Sequence, residues 1–388
     1  MKQGILRSYQ IYVFSVFFLY FVPLKGKTEE KVEAPSFAGD RYLGLGDTYT
    51  AVVDDRLALY YNPAGLNLLE EKITFSVPAI AFKISRQFFP LLFFLGQQHK
   101  DVSGNFQHFI LSPENFKYRT YYKNLANLSR QWNELIETLN GDLVTKNLGV
   151  GAFGNLNTKF RNIGDGYWPL LYYQGGYEAA IVIGGAKRFF KIVSTGLSAK
   201  YLFRSKAFVP KPLTAVKMAS FDNVFDQLSG VGDSVDTYQM GLSFDAGLIY
   251  HLGSVRIGLV LKDIFGKMFA MDSDSKDESI RWRFDSGIAY HPAIMRSFPA
   301  IRDFIVALDL ADLFNSEKSF MLKLNSGIET IFPAGAIRLG LHQGYPTLGF
   351  TVKLILFNLN YTYYGQEGGL FPGQIENQFH LFSIHFGK

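Results

Sequence analysis

From residue 238 onward, apolar and polar side chains alternate along the chain with a period of two. In SIRWRFDSGIAYH, starting at 279, Ile280, Trp282, Phe284, Ile288 and Tyr290 fall on one face and Arg281, Arg283, Asp285 and His291 on the other, as successive side chains of a β-strand do. YQMGLSFDAGLIYH (238–251) repeats the pattern, with Met240, Leu242, Phe244, Leu248 and Tyr250 opposite Ser243 and Asp245. VRIGLVLKD (255–263), MLKLNSGIET (321–330), AIRLGLH (336–342), LGFTVKLILF (348–357), NLNYTYYG (358–365) and FHLFSIHFG (379–387) follow it. Each predicts a strand with one apolar and one polar face.

Alternation of this kind also suits a soluble β-sandwich, whose apolar face lies in a core. Three features favour an all-β fold of another kind, a transmembrane antiparallel β-barrel with its apolar face toward lipid and its polar face toward a lumen. Many segments run 9 to 13 residues, the length that crosses a bilayer at a tilt. Tyr250, Tyr290, Tyr361 and Tyr363 stand at apolar strand ends, where an interfacial girdle places aromatic rings. The third feature is the start of the chain, where Lys2 and Arg7 precede the apolar run IYVFSVFFLYFVPL (11–24). A basic start and an apolar core of about 7 to 15 residues describe a secretory signal, too short for the roughly 20 residues of a spanning helix. Residues 1–26 are therefore expected to be a signal peptide, with Gly26 at the cleavage point and an uncleaved anchor as the alternative. Candidate strands number about 14, and a ring of that size leaves a lumen wider than side chains alone fill. Something is expected to occupy it.

Without the signal the formal charge of +5 loses Lys2, Arg7 and Lys25 and falls to +2, too close to neutral for a nucleic-acid footprint. The chain has no cysteine, which excludes disulfides, thiolate metal sites, thiol nucleophiles and a lipidated cysteine. Charged residues make up 19% of the chain, below the usual level of about 25%. Even so, the longest apolar run after the signal, FFPLLFFLG (88–96), is too short for a membrane helix. That run lacks alternation and is expected to contact lipid or to wall an opening.

Residues 112–141, SPENFKYRTYYKNLANLSRQWNELIETLNG, break the pattern. Tyr118, Tyr121, Tyr122, Leu125, Leu128, Trp132, Leu135, Ile136 and Leu139 recur at three and four, with Ser112 placed to cap, Pro113 in the first turn and Gly141 at the end. This spacing predicts an amphipathic helix over 113–140, packed on the barrel rim as a loop insertion or forming a ligand groove. Segments 205–237 and 265–279 are expected to be long polar loops, which in such barrels face outward.

Catalytic constellations are missing from the pattern. None of the seven histidines has metal-ligand spacing, and His251 and His291 read as polar strand ends. RYLGLGDTY (41–49) is Gly-rich but has Tyr49 where a dinucleotide loop needs its third Gly. Ser, His and Asp form no nucleophile elbow. Asp245 and Asp285 are expected to face the lumen beside Arg281, Arg283 and Lys262. No enzymatic activity and no cofactor are expected.

GLGDTYTAVVDDRLALYYNPAGL (44–66) resembles the N-terminal segment of the long-chain fatty-acid transporter family of outer-membrane barrels, in which a Gly-rich lead, paired Asp residues and Asn-Pro-Ala lie on a small hatch that plugs the lumen. The matching positions here are Asp54, Asp55, Asn62, Pro63 and Ala64, followed by Gly65. RLGLHQGYPTLGF (338–350) and LNYTYYGQEGG (359–369) resemble a branch of the same superfamily that includes the shuttle barrels of type IX secretion. The resemblance implies a hatch over 27–71 and a barrel over 72–388. It also implies passive uptake of an apolar molecule, with exit past the hatch or through a lateral gap. The family prefers a final aromatic, whereas here Phe386 is followed by Gly387 and Lys388. Residues 60–66 are expected to make a rigid bend, because Asn before Pro is extended, Pro fixes φ and Gly65 permits reversal. Asp54 and Asp55 are expected to tie the hatch to lumen Arg and Lys residues by charge-assisted hydrogen bonds.

Two functions stay open. One is an outer-membrane transporter, expected to be monomeric, for hydrophobic small molecules such as long-chain fatty acids. The other is a non-transporting platform that holds a secretion-system protein partner for secretion or surface attachment.

Overall fold

The computed structural model describes residues 31–88, 133–162, 170–190, 192–208, 213–214, 235–271, 276–292 and 298–387. The expected signal (1–26), the apolar run beyond Phe88 and residues 113–132 of the helix expected over 113–140 lie outside them.

Fourteen long strands follow one another along the chain: β1 (Ile73–Ser85), β2 (Asn133–Thr145), β3 (Leu148–Asn162), β4 (Leu170–Phe189), β5 (Val193–Phe208), β6 (Val235–Leu252), β7 (Val255–Ala270), β8 (Arg283–Tyr290), β9 (Asp303–Leu310), β10 (Leu324–Phe332), β11 (Gly335–His342), β12 (Tyr345–Lys353), β13 (Phe357–Glu367) and β14 (Glu376–Gly387). Each pairs antiparallel with its neighbours in sequence, and β14 pairs with β1 from Phe379↔Ser85 to Gly387↔Ser76, which closes the ring. The expected fold class and strand number are both found. Short turns such as 146–147, 253–254 and 333–334 lie at one end, and the strand ends Ser85, Asn133, Phe208 and Val235, between which the chain runs longest, at the other. In outer-membrane barrels the short-turn end is periplasmic.

The burial pattern along the strands is inside out. On β6, Leu242 and Phe244 are each 46% exposed while Ser243 and Asp245 are fully buried. Leu197, Ile183, Ile337 and Ile384 are likewise exposed, while Asp142, Lys200, Glu329 and Arg338 are buried. An aliphatic surface of this extent on a closed sheet is stable only against hydrocarbon. The chain is a transmembrane β-barrel of the outer-membrane type.

One expectation is corrected. The helix predicted over 113–140 does not extend through its last residues, because Asn133–Thr145 is strand β2. Leu135, Leu139 and Leu143 recur every four residues, a spacing that satisfies a helical repeat and a strand repeat alike. Their neighbours decide it: Glu134, Thr138, Asn140 and Asp142 are buried while Leu139 and Leu143 are exposed. Gly141, read as a helix stop, lies within the strand. The two loops are also shorter than expected, since β5 runs to Phe208, β6 begins at Val235 and β7 reaches Ala270.

Candidate functional site

Within the ring lies the segment 32–69. Helix α1 (Asp40–Gly44), helix α2 (Ala58–Tyr61) and a 3-10 turn (Pro63–Leu68) supply a small aromatic core of their own. Tyr61 packs on Tyr42 and Tyr49 with ring centroids 4.8 Å apart in each case, and Lys262 of β7 places its ammonium 4.5 Å from the Tyr49 ring and 4.9 Å from the Tyr61 ring. Desolvation of the ammonium is offset there by two aromatic faces.

Asn62 starts the 3-10 turn. Its backbone is extended, its Oδ1 accepts from Ala64 N, and Pro63 takes the first helical position, where its missing N–H costs nothing. Asn62 Nδ2 also donates to Thr50 O at 2.7 Å, so one fully buried side chain fastens two loops of the segment. Gly65 serves close packing: a Cβ there would lie 2.5 Å from Val53 Cγ2 and 2.6 Å from Val53 O. Asn62→Ala leaves the Thr50 carbonyl unpaired and removes the cap, at a cost of about 1–3 kcal/mol. The expected result is a lower temperature for the heat-induced gel shift of the purified barrel.

Asp54 and Asp55 converge on one cation of their own segment. Arg41 Nη1 donates to Asp54 Oδ1 at 2.8 Å and to Asp55 Oδ2 at 2.9 Å, while its Nη2 reaches Glu329 Oε2 of β10 at 2.7 Å. Glu329 is fully buried and also accepts from Arg338 Nε of β11 at 2.7 Å. Asp54 alone touches a lumen cation directly, Arg256 Nη1 of β7 at 3.3 Å. Asp55 turns inward to the Tyr42 hydroxyl and to Leu57 N. Burial opposes the charge on Asp54, but Arg41 and Arg256 outweigh it and hold its carboxyl below the usual range. A lowered value means that the stabilisation is full above the ordinary carboxylate pKa and is lost as pH falls through the lowered one.

Further hydrogen bonds run from the segment to the wall. Asp309 of β9 accepts from Tyr49 N, Thr50 N and Thr50 Oγ1 at 2.8, 2.8 and 2.6 Å. Ser383 Oγ of β14 donates to Asp40 Oδ2 at 2.7 Å, and Thr347 Oγ1 of β12 to Gly44 O at 3.0 Å. Elsewhere backbone meets backbone. Gly196, Gly258, Gly327 and Gly340 face inward on β5, β7, β10 and β11, and a Cβ on any of them would fall within 2.6 Å of segment main-chain atoms. Arg41, Glu329 and these glycines were not singled out from the sequence. An acid on the polar face of MLKLNSGIET was the available signal for Glu329.

Toward the long-connection end, a cavity of about 620 Å³ lies between the strands and Ala34, Ser36 and Ala38 of the segment. Its wall carries Lys83, Glu134, Lys159, Glu178 and Arg204 beside Ile136, Phe379 and Leu381. Glu134 pairs with Lys159 at 3.1 Å and with Lys83 at 3.6 Å, and Lys83 Nζ stands 4.0 Å from the Phe379 ring centre.

Fold and site together define a closed 14-stranded barrel with its own N-terminal segment in the lumen. Among solved structures, the chain is similar to the Pseudomonas putida toluene transporter TodX, at 10% identity and a TM-score of 0.51, covering 92% of this chain and 99% of that one. A deltaS2S3 mutant of TodX, described as a monoaromatic hydrocarbon channel, gives the same identity, coverage and TM-score. A Pseudomonas aeruginosa FadL homologue aligns at 8% identity and a TM-score of 0.46, covering 92% of this chain and 99% of that one. The TodX likeness shows that the chain shares the fold of that barrel. No protein-family model matches the chain. No curated protein matches it either.

Proposed function

We propose that the protein is an outer-membrane transporter for passive uptake of hydrophobic small molecules that carry a polar end, long-chain fatty acids being the class implied by the 44–66 motif. The cavity carries this reading. Its volume of about 620 Å³ lies within the usual range of roughly 300–1,000 Å³ for small-molecule sites, and it combines two lysines with Ile136, Phe379 and Leu381. A carboxylate would meet Lys83 and Lys159 while its chain lies along the apolar wall. The segment 27–71 acts as the hatch, with Asp54, Asp55, Asn62, Pro63, Ala64 and Gly65 holding its shape. A concentration gradient drives entry, and the protein works as a monomer. The described transport of toluene by TodX, an apolar cargo on the same fold, supports the general class.

Uptake of labelled oleate into proteoliposomes tests the reading. The double variant Lys83→Gln, Lys159→Gln is expected to lower the initial rate roughly tenfold, as loss of a charge-assisted hydrogen bond does. Parent uptake no faster than that of empty vesicles, with a stoichiometric protein partner recovered from cells, would replace transport by the platform function.

A further inference from the structure

The lumen segment meets the wall in two ways. Across β5, β7, β10 and β11 its backbone lies directly on inward glycines. On the opposite side, over β14, β1 and β2, the inward positions at that level are Ser383, His385, Ser76, Asn140 and Asp142, and contact runs through polar side chains. Three buried oxygens there have no hydrogen-bond partner among the described residues: Tyr60 OH, Ser76 Oγ and Asp142 Oδ1. They converge. Ser76 and Asp142 are register partners, and a Cβ on Gly151, the β3 partner of Asp142, would lie 2.1 Å from Tyr60 OH and 3.0 Å from Asp142 Cβ. Buried polar groups are almost always satisfied, by ordered water where protein does not serve.

Directly above on the same strand lies Thr138, part of the outer cavity lining. From Thr138 to Asp142 is four residues of strand, about 13 Å. At the lower end stands Arg56, ion-paired with Asp142 and with Nη2 3.0 Å from His385 Nδ1. Its side chain is 13% exposed and that of His385 15%, so this pair is the less buried end of the seam.

We propose that the inner face of β14, β1 and β2 is a hydrated passage for small hydrophilic solutes and cations, running from the outer cavity to the short-turn end, with Arg56 as its gate. The guanidinium fills the seam and repels cations, and without it the Asp142 carboxylate lines an open, cation-favouring path. The passage does not depend on the hydrophobic-uptake reading, which rests on Lys83 and Lys159.

Single-channel recording of the full chain in planar bilayers with potassium chloride tests this. Arg56→Ser is expected to raise conductance roughly tenfold and shift selectivity toward potassium, as removing one like charge from a narrow path does. Arg56→Lys stays near the parent, and so does Arg256→Ser, which removes the weaker of the two cations on Asp54 across the ring and leaves Arg41 in place. Unchanged conductance in Arg56→Ser, or an equal rise in Arg256→Ser, overturns the proposal. Should Arg56→Ser not fold, the absence of native cysteine permits a second measurement with a small cationic thiol reagent added outside. Ser76→Cys and Asn140→Cys are expected to react while Ala307→Cys, packed against the segment on β9, stays unlabelled; protection at both of the first two positions overturns the proposal.

Discussion

Arg41→Met is expected to loosen the lumen segment, exposing 44–66 to protease in a barrel that stays closed. The guanidinium serves three carboxylates at once, with Nε and Nη2 on Glu329 and Nη1 shared by Asp54 and Asp55. The three acids do not contribute equally. Asp54 and Asp55 keep 23% and 31% of their side-chain exposure, so water screens them and their loss counts for little. The Glu329 side chain has no exposure, and stranding a buried charge costs about 3–5 kcal/mol. Arg338 still holds one Glu329 oxygen at 2.7 Å, which places the expected loss at the lower end of that range. Arg41→Lys recovers only part of it, because the three donors of an ammonium sit on one nitrogen and cannot span Glu329 and the Asp pair as the guanidinium fork does. Adding Glu329→Gln to Arg41→Met should not restore stability, because the buried Arg338 guanidinium then loses the carboxylate it donates to at 2.7 Å. Limited proteolysis and heat-induced gel shift read both effects. Protease resistance and a shift temperature equal to the parent's would show that the Arg41 bridge does not hold the segment.

The barrel was legible in the sequence because alternation is local: each strand declares its two faces within a few residues, as Leu242 and Phe244 against Ser243 and Asp245 do. The same locality explains the error at β2, where leucines four apart fit two periods and only the buried residues between them separate the two. In the lumen, the part internal to the segment could be read. The bend at Asn62 is built from neighbours, whereas Arg41 and Glu329 are 288 positions apart and no local pattern joins them. Asp54 and Asp55 show the limit well. Their chemistry as acceptors was evident, but their main cation comes from the segment itself, and a sequence does not reveal which of its arginines folds back. Inward glycines were invisible for a different reason. Among 37 glycines, those under the segment differ from those facing lipid only in what approaches them.

That difference predicts a strong effect. Gly258→Val is expected to leave the barrel intact and drive the segment out of the lumen, opening a wide aqueous pore. A Cβ at 258 would sit 2.0 Å from Thr50 O and 2.4 Å from Thr50 C. The obstacle is main chain, held by Asn62 Nδ2 on that same carbonyl at 2.7 Å, so no side-chain rotation relieves it. Within the strand the substitution is favourable, because glycine weakens a strand interior by roughly 0.5–1 kcal/mol and valine suits a pleated surface. The barrel thus gains slightly while the segment loses its seat. Gly327→Val, with its Cβ 2.1 Å from Leu45 O, should act the same way three strands along the same wall. Gly154→Val is the control: its nearest neighbour is the hydroxyl of Tyr177 at 2.7 Å, the far end of an outward, flexible side chain, and the segment should remain in place. An emptied 14-stranded ring encloses an aqueous channel, so planar-bilayer conductance of the Gly258 and Gly327 variants should reach porin-like levels with the parent and Gly154→Val far below. If all four proteins conduct alike, the segment is not seated on these glycines, and the closed lumen has some other cause.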